Sequence, residues 1–184
     1  SILLPMGQPL LIRTGSVLTV SSLMLVQPEK VEAESAIFYY NRGNKRDRTG
    51  DYYGAISDYN KVIKQYPNYP KIYSAYNNRG YTKSKLNDDV GAIEDYNKAI
   101  KINPNHVNAY FNRAISHYKL ENYYQAISDY TKIIKINPRD GEVYGNRGIA
   151  KWRMGDIKGA CSDVREASFL GYEEAAQWLR GFCE

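Results

Sequence analysis

Four arginines of this 184-residue chain are each followed sixteen residues later by an aspartate: Arg42 by Asp58, Arg79 by Asp95, Arg113 by Asp129 and Arg147 by Asp163. A guanidinium can grip a carboxylate through two parallel hydrogen bonds, which a lysine cannot do. Four pairs in four copies read as ion pairs that fasten two segments together. The other use, arginines holding an acidic ligand, is disfavoured because an arginine without its aspartate would be a costly half-buried charge. Each arginine is preceded by an asparagine, at Asn41, Asn78, Asn112 and Asn146. A primary amide offers one acceptor and two donors. It can therefore pair with both the C=O and the N–H of an extended peptide, or bond to a neighbouring segment or water.

Catalysis has little to stand on. His106 and His117 share no spacing with cysteines or carboxylates that would suggest a metal site or a nucleophile and its base. No glycine-rich phosphate loop is present. The chain reads as a non-enzyme with no cofactor and no metal. Its 43% hydrophobic and 24% charged residues are those of a folded protein, and 18 tyrosines give much of the apolar surface a hydroxyl. A net charge of +5 favours acidic partners but falls far below that of a dedicated nucleic-acid binder, so no nucleic acid is expected.

The elements that must position these residues repeat. With Gly43, Gly80, Ala114 and Gly148 as marks, an alanine stands twelve residues after each (Ala55, Ala92, Ala126, Ala160) and a tyrosine four before each (Tyr39, Tyr76, Tyr110, Tyr144). Tyr59, Tyr96, Tyr130 and Val164 follow sixteen after, and Pro67, Pro104 and Pro138 twenty-four after the first three marks; Tyr172 stands at the fourth. The spacing is 34 residues, except in the first interval, where three extra residues fall around Tyr66–Tyr73 as a longer loop. Asp51, Asp88, Asn122 and Asp156 are N-cap types opening a second helix in each unit. Ala55, Ile56, Tyr59, Val62 and Ile63 recur at helical spacing as its apolar face. Small residues at the marks let two helices approach closely, and the prolines end each second helix.

These residues resemble the tetratricopeptide repeat, over four copies spanning about 36–69, 73–106, 107–140 and 141–173. The ending from Gly155 also resembles the closing repeat of bacterial, notably cyanobacterial, proteins of this kind. The resemblance implies an all-α, right-handed superhelical solenoid of four helical hairpins over 34–173. A capping helix at 174–184 would carry Ala175, Ala176, Trp178, Leu179 and Phe182. It also implies that the first helices line a concave groove. The four asparagines, turned about 100° from the arginines, would then form a row along it, similar to the asparagine ladder of O-GlcNAc transferases; bonds to a neighbouring repeat are the competing reading. Tyr40, Tyr81, Phe111, Tyr118 and Trp152 lie at positions that commonly face the groove, or pack between repeats. Arg48, Lys85, Lys119 and Arg153 would form a basic line along one edge, or a solvated face. Repeats that clamp a C-terminal carboxylate match at Asn44 and Asn78, but their basic positions hold Tyr40, Asn108 and Asn112 here, so that clamp is absent.

The ends complete the reading. Arg13, the apolar run Thr14–Val26 and the Val31-Glu32-Ala33 pattern have the layout of a secretory signal over 1–33. The run is shorter than a membrane span, although an uncleaved anchor, the only membrane contact expected, or an extra helix on the first repeat fits the same residues. If the chain folds back at Leu170-Gly171, Cys161 and Cys183 face each other, as a disulfide that suits export or as two buried thiols. The expected function is a scaffold holding an extended, somewhat acidic segment of another protein in the groove. The alternatives are the recognition arm or assembly factor of a separate enzyme or membrane complex and, more remotely, RNA binding.

Overall fold

A computed structural model describes residues 28–172 together with Glu174, Gln177, Gly181 and Cys183. Eight helices follow in order: α1 (Pro28–Arg48), α2 (Tyr52–Gln65), α3 (Ile72–Lys85), α4 (Asp89–Ile102), α5 (Val107–Lys119), α6 (Tyr123–Ile136), α7 (Gly141–Met154) and α8 (Ile157–Phe169). No strand occurs among the described residues. Each odd helix packs antiparallel on the next as a hairpin, and each even helix packs on the following hairpin. Successive first helices also touch, α1 with α3 and α3 with α5, with no comparable contact between successive second helices. The stack is therefore tighter on the first-helix side and curves with α1, α3, α5 and α7 inside.

Local chemistry explains the hairpins. The residue seven after each mark takes a positive φ: Gly50 (84°), Asn87 (62°), Glu121 (60°) and Gly155 (91°). That left-handed residue turns the chain between the two helices. The side chains of Asp51, Asp88 and Asp156 then cap the second helices by accepting from the amides of Gly54, Gly91 and Gly159. A Cβ at those glycines would lie 2.0–2.3 Å from the second oxygen of the capping carboxylate. In the third hairpin the corresponding residue is Gln125, and Asn122 makes no side-chain cap. Asn122 is thus the N-cap of α6 by position, without the side-chain bond that the three aspartates make.

The interface inside each hairpin is built from the marks. Ala55, Ala92, Ala126 and Ala160 are almost fully buried, as are Tyr59, Tyr96, Tyr130 and Val164. The ring of Tyr59 lies 2.8 Å from where a Cβ of Gly43 would stand, and that of Tyr96 at the same distance from Gly80. Residues 66–71 link α2 to α3, whereas four-residue segments, 103–106 and 137–140, make the later links. Where the other repeats carry proline, the ring of Tyr172 fills the space left by Gly145.

The expected capping helix lies largely outside the described residues, including Ala175, Ala176, Trp178, Leu179 and Phe182. Cys161 and Cys183 are joined in a disulfide, with Cα atoms 5.5 Å apart. The segment proposed as a signal lies outside the described residues up to position 27, and α1 runs without a break from Pro28 through Ala33.

Candidate functional site on the concave face

The arginines come first because they set the spacing of everything else. Arg42 Nε and Nη2 donate to the two oxygens of Asp58 at 2.8 and 2.6 Å. Arg79 does the same to Asp95 at 2.9 and 2.5 Å, Arg113 to Asp129 at 2.8 and 2.6 Å, and Arg147 to Asp163 at 2.8 and 2.7 Å. All four carboxylates are buried. Burial alone would raise the Asp58 carboxyl, but the hydrogen bond and charge of Arg42 outweigh it and hold the group below the usual carboxylate range. Each guanidinium also stacks on the tyrosine three residues before it, at 5.2–5.5 Å. The remaining Nη1 of Arg79, Arg113 and Arg147 reaches the preceding repeat, at Asn60, Asn97 and Thr131. One arginine thus holds a hairpin shut and fixes it to its neighbour.

Sequence reasoning missed a second cation. One turn after the arginine, Arg46 Nη1, Lys83 Nζ and Lys151 Nζ stand 2.8, 2.9 and 2.8 Å from Asp58, Asp95 and Asp163. The signal was a basic residue at i+4 from each arginine, which places both on one helix face. The third repeat has His117 there instead, and its buried Nδ1 has no hydrogen-bond partner. Burial lowers the pKa of His117, and Arg113 adds to that against the opposing pull of Asp129.

The asparagine row is not a set of free amides. Asn78 Nδ2 donates to Tyr40 Oη at 3.1 Å and to Asn44 Oδ1 at 2.8 Å, and its Oδ1 accepts from Asn77. Asn112 Nδ2 donates to Asn77 Oδ1 at 3.2 Å. Tyr59 Oη, whose pKa burial pushes up, donates to Asn44 Oδ1 at 2.8 Å. These amides form a chain across α1, α3 and α5, so the exposed ladder expected at Asn78 and Asn112 is corrected: tight first-helix packing brings the next repeat within reach. Asn41 is exposed and Asn146 half-buried, and neither joins this chain.

The basic line is likewise drawn into the stack. Lys85 Nζ bonds Asp47 at 2.9 Å, Lys119 Nζ bonds Ser84 at 2.8 Å, and Arg153 Nε donates to Tyr118 Oη at 3.2 Å. In every case the cation reaches back to the residue four after the preceding mark. All four are exposed, and Arg48 alone makes no such bond among the described residues. The aromatics divide in the same way. Phe111 and Tyr118 pack against the core of the third hairpin, Phe111 edge-on to Tyr130 at 5.9 Å and Tyr118 edge-on to Tyr123 at 5.4 Å. Tyr40 lies against Tyr59 and Tyr69, and Trp152 is half-buried beside Arg153. Tyr81 is 46% exposed, with Lys85 Nζ 4.4 Å from its ring centre.

A hollow of about 340 Å³ stays open on the inner face between α1 and α3, lined by Tyr40, Asn44, Asp47, Arg48, Asn78 and Tyr81 over the hydroxyl of Tyr59. Asp47 is committed there, accepting from Thr82 Oγ1 and Lys85 Nζ. Arg48 and Tyr81 are its exposed edge. No group of three or more metal-ligating side chains occurs among the described residues.

Comparison with known proteins agrees with this architecture. Models described as tetratricopeptide repeat or TPR repeat match residues 35–69, 80–121 and 107–140, together just over half of the chain. No curated protein matches significantly. MamA from Desulfovibrio magneticus is similar in structure at 19% identity and a TM-score of 0.70, with 76% of this chain and 77% of that one covered. A tetratricopeptide repeat protein from Parabacteroides merdae aligns at 19% identity and 0.71, covering 76% and 54%. The first such domain of Spaghetti (RPAP3), solved with the HSP90 peptide SRMEEVD bound, aligns at 23% and 0.63, covering 67% and 95%. With the 34-residue beat, the eight helices and the family matches together, the chain belongs to the tetratricopeptide repeat family.

Proposed function

We propose that this protein is a non-catalytic scaffold that holds an extended segment of another protein on the inner face between α1 and α3. The observation that carries the reading is the hollow with Arg48 and Tyr81 at its rim. There a predicted groove cation, Arg48, makes no bond within the stack, and a predicted groove aromatic, Tyr81, stays 46% exposed beside Lys85. An unpaired guanidinium favours a carboxylate on the ligand. An exposed tyrosine supplies contact area with a polar tip at low entropic cost. The similar RPAP3 domain was solved with the HSP90 peptide SRMEEVD bound, which supports a peptide ligand for this fold. Here the amides of Asn44 and Asn78 are bonded to each other, so the grip falls on side chains around them. The export reading rests on Arg13 and the apolar run that follows it, and the Cys161–Cys183 bridge suits an oxidising compartment. Cleavage after Ala33 would remove the first six residues of α1.

The test is a cross-linking pull-down from the source cell comparing wild type with Arg48→Ala/Tyr81→Ala. Both side chains are exposed, so the variant keeps its melting curve. Loss of one captured protein supports the inner-face reading. An unchanged set of captured proteins sinks it.

A further inference from the structure

The second helices carry a feature that the inner face does not use. Lys61 and Lys64 on α2, Lys98 and Lys101 on α4, and Lys132 and Lys135 on α6 stand at the same two places in three successive repeats. Residues three apart on a helix share one face. All six are exposed or half-exposed, and none forms an ion pair among the described residues. Lys61 and Lys98 lean over Tyr39 and Tyr76, with ring distances of 4.8 and 5.6 Å, and Lys61 also feels the charge of Asp58 without pairing to it. Most first-helix cations are spent differently, on Asp58, Asp95, Asp129 and Asp163 and on the stacking seams, with Lys45 and Arg48 of α1 left exposed. These six lysines outnumber the chain's whole net charge of +5. Glu94 interrupts the face on α4. At α8 it ends, where the equivalent places hold Glu166 and Phe169.

Position adds a second observation. The lysines lie in the C-terminal halves of the second helices, and antiparallel hairpins bring those halves beside the starts of the first helices. Helix α1 begins fifteen residues before its mark, whereas α3 begins eight before its own. It therefore projects by about 10 Å, at 1.5 Å per residue, from the lysine-bearing edge. The apolar run Thr14–Val26 leads directly into that projecting end. The projection itself carries Glu32 and Glu34, so the positive field belongs to α2, α4 and α6. All six cations are lysine, a compact hydrated point charge that gives diffuse attraction rather than the forked, bidentate reading of a base edge. Exposed tyrosines share these helices at Tyr53 on α2 and Tyr124 on α6, but Val90 holds the equivalent place on α4, so they form no continuous stacking platform for a nucleic-acid strand.

We infer that the outer lysine face of α2, α4 and α6 docks on an anionic phospholipid surface, with the edge from which α1 projects turned toward the bilayer. Diffuse attraction of clustered lysines to acidic headgroups needs charge density and no pocket. A single weak apolar signal becomes a stable attachment when a basic patch supplements it. The face is separate from the inner hollow, so a docked molecule still presents its groove.

The experiment is co-sedimentation of the full chain with vesicles of phosphatidylcholine alone and of phosphatidylcholine mixed with phosphatidylglycerol, at low and high salt. The expected result is partition into the anionic vesicles that falls with salt. Lys64→Gln/Lys101→Gln/Lys135→Gln should weaken that partition on the order of 100-fold while leaving the circular dichroism spectrum and melting curve intact. Lys45→Gln, which removes an exposed charge from the inner helix α1, should weaken it less than about fivefold. Equal partition into neutral and anionic vesicles would assign attachment to the apolar run alone and overturn the inference. An unaffected triple variant, or no partition into either vesicle, overturns it too. So does complete displacement by a single-stranded oligonucleotide at equal phosphate concentration, which would make the face a nucleic-acid surface.

Discussion

The third hairpin should respond to loss of its arginine unlike its neighbours, because its aspartate has one cation where the others have two. Asp129 accepts both bonds from Arg113 and has neutral His117 in the place that Lys83 fills beside Asp95. Removing Arg113 as Arg113→Leu leaves a carboxylate side chain only 7% exposed with no cation against it. Stranding a buried charge in this way costs about 3–5 kcal/mol. Arg79→Leu leaves Asp95 paired with Lys83 at 2.9 Å, and the loss there is about 2 kcal/mol, the worth of a charged hydrogen bond. The order reverses in the double variants. Arg113→Leu/Asp129→Leu removes every charge from the third site and should return to within about 1 kcal/mol of the wild type, as for other buried pairs replaced by apolar residues. Arg79→Leu/Asp95→Leu strands Lys83, whose side chain is 21% exposed, and should stay about 2 kcal/mol below. Urea unfolding at pH 7.5, followed by far-ultraviolet circular dichroism, reads all four variants, provided their m-values agree. Equal losses for the two single variants would show that the second cation carries no energy. A third-site double variant as weak as the sum of its singles would show that the pair is not the unit.

Burial lowers the pKa of both His106 and His117. A base depressed in the folded state gives its stability in full above its unfolded value of about 6.5 and loses it as pH falls through and below that value. The melting temperature should be flat near pH 7.5 and drop as the pH falls below about 6.5. His106→Gln/His117→Gln should flatten that drop, and a wild type that melts higher on acidification would contradict the assignment. Breaking the bridge with Cys183→Ser should cost about 3 kcal/mol for the loop it closes, read as a lower urea midpoint under non-reducing conditions; identical midpoints with and without reductant would show that the bridge contributes nothing. Glu121 occupies the left-handed turn position that glycine fills at residues 50 and 155, so Glu121→Gly should stabilise the chain by about 1 kcal/mol. Thermal melts check this, and destabilisation would mean that the Glu121 side chain makes a compensating contact.

The arginine–aspartate pairs were legible because both partners sit inside one repeat, where the sixteen-residue spacing is fixed by two helices and a short turn. The hairpins were legible for the same reason. What the sequence left open was every interaction between repeats. Whether Asn78 is a free amide or a bonded one depends on how far α1 stands from α3. That distance is set by packing, and the residues it brings together, Asn44 and Asn78, are 34 apart in the chain. The basic line fails in the same way, since Lys85, Lys119 and Arg153 each reach backward into the preceding repeat. The direction of that reach has a consequence for where the stack can bind anything. A cation that points backward is spent wherever a repeat precedes it, and among the described residues none precedes the first. Arg48 is left over there, Asn41 is exposed, and Phe38 is 55% exposed where Ala75, Ala109 and Val143 are buried in the later repeats. Unspent groups therefore collect at the first hairpin for a geometric reason. A ligand for the inner face should engage α1 and α3 before it touches α5 or α7, and variants of Arg48 should weaken it more than the same change at Arg153.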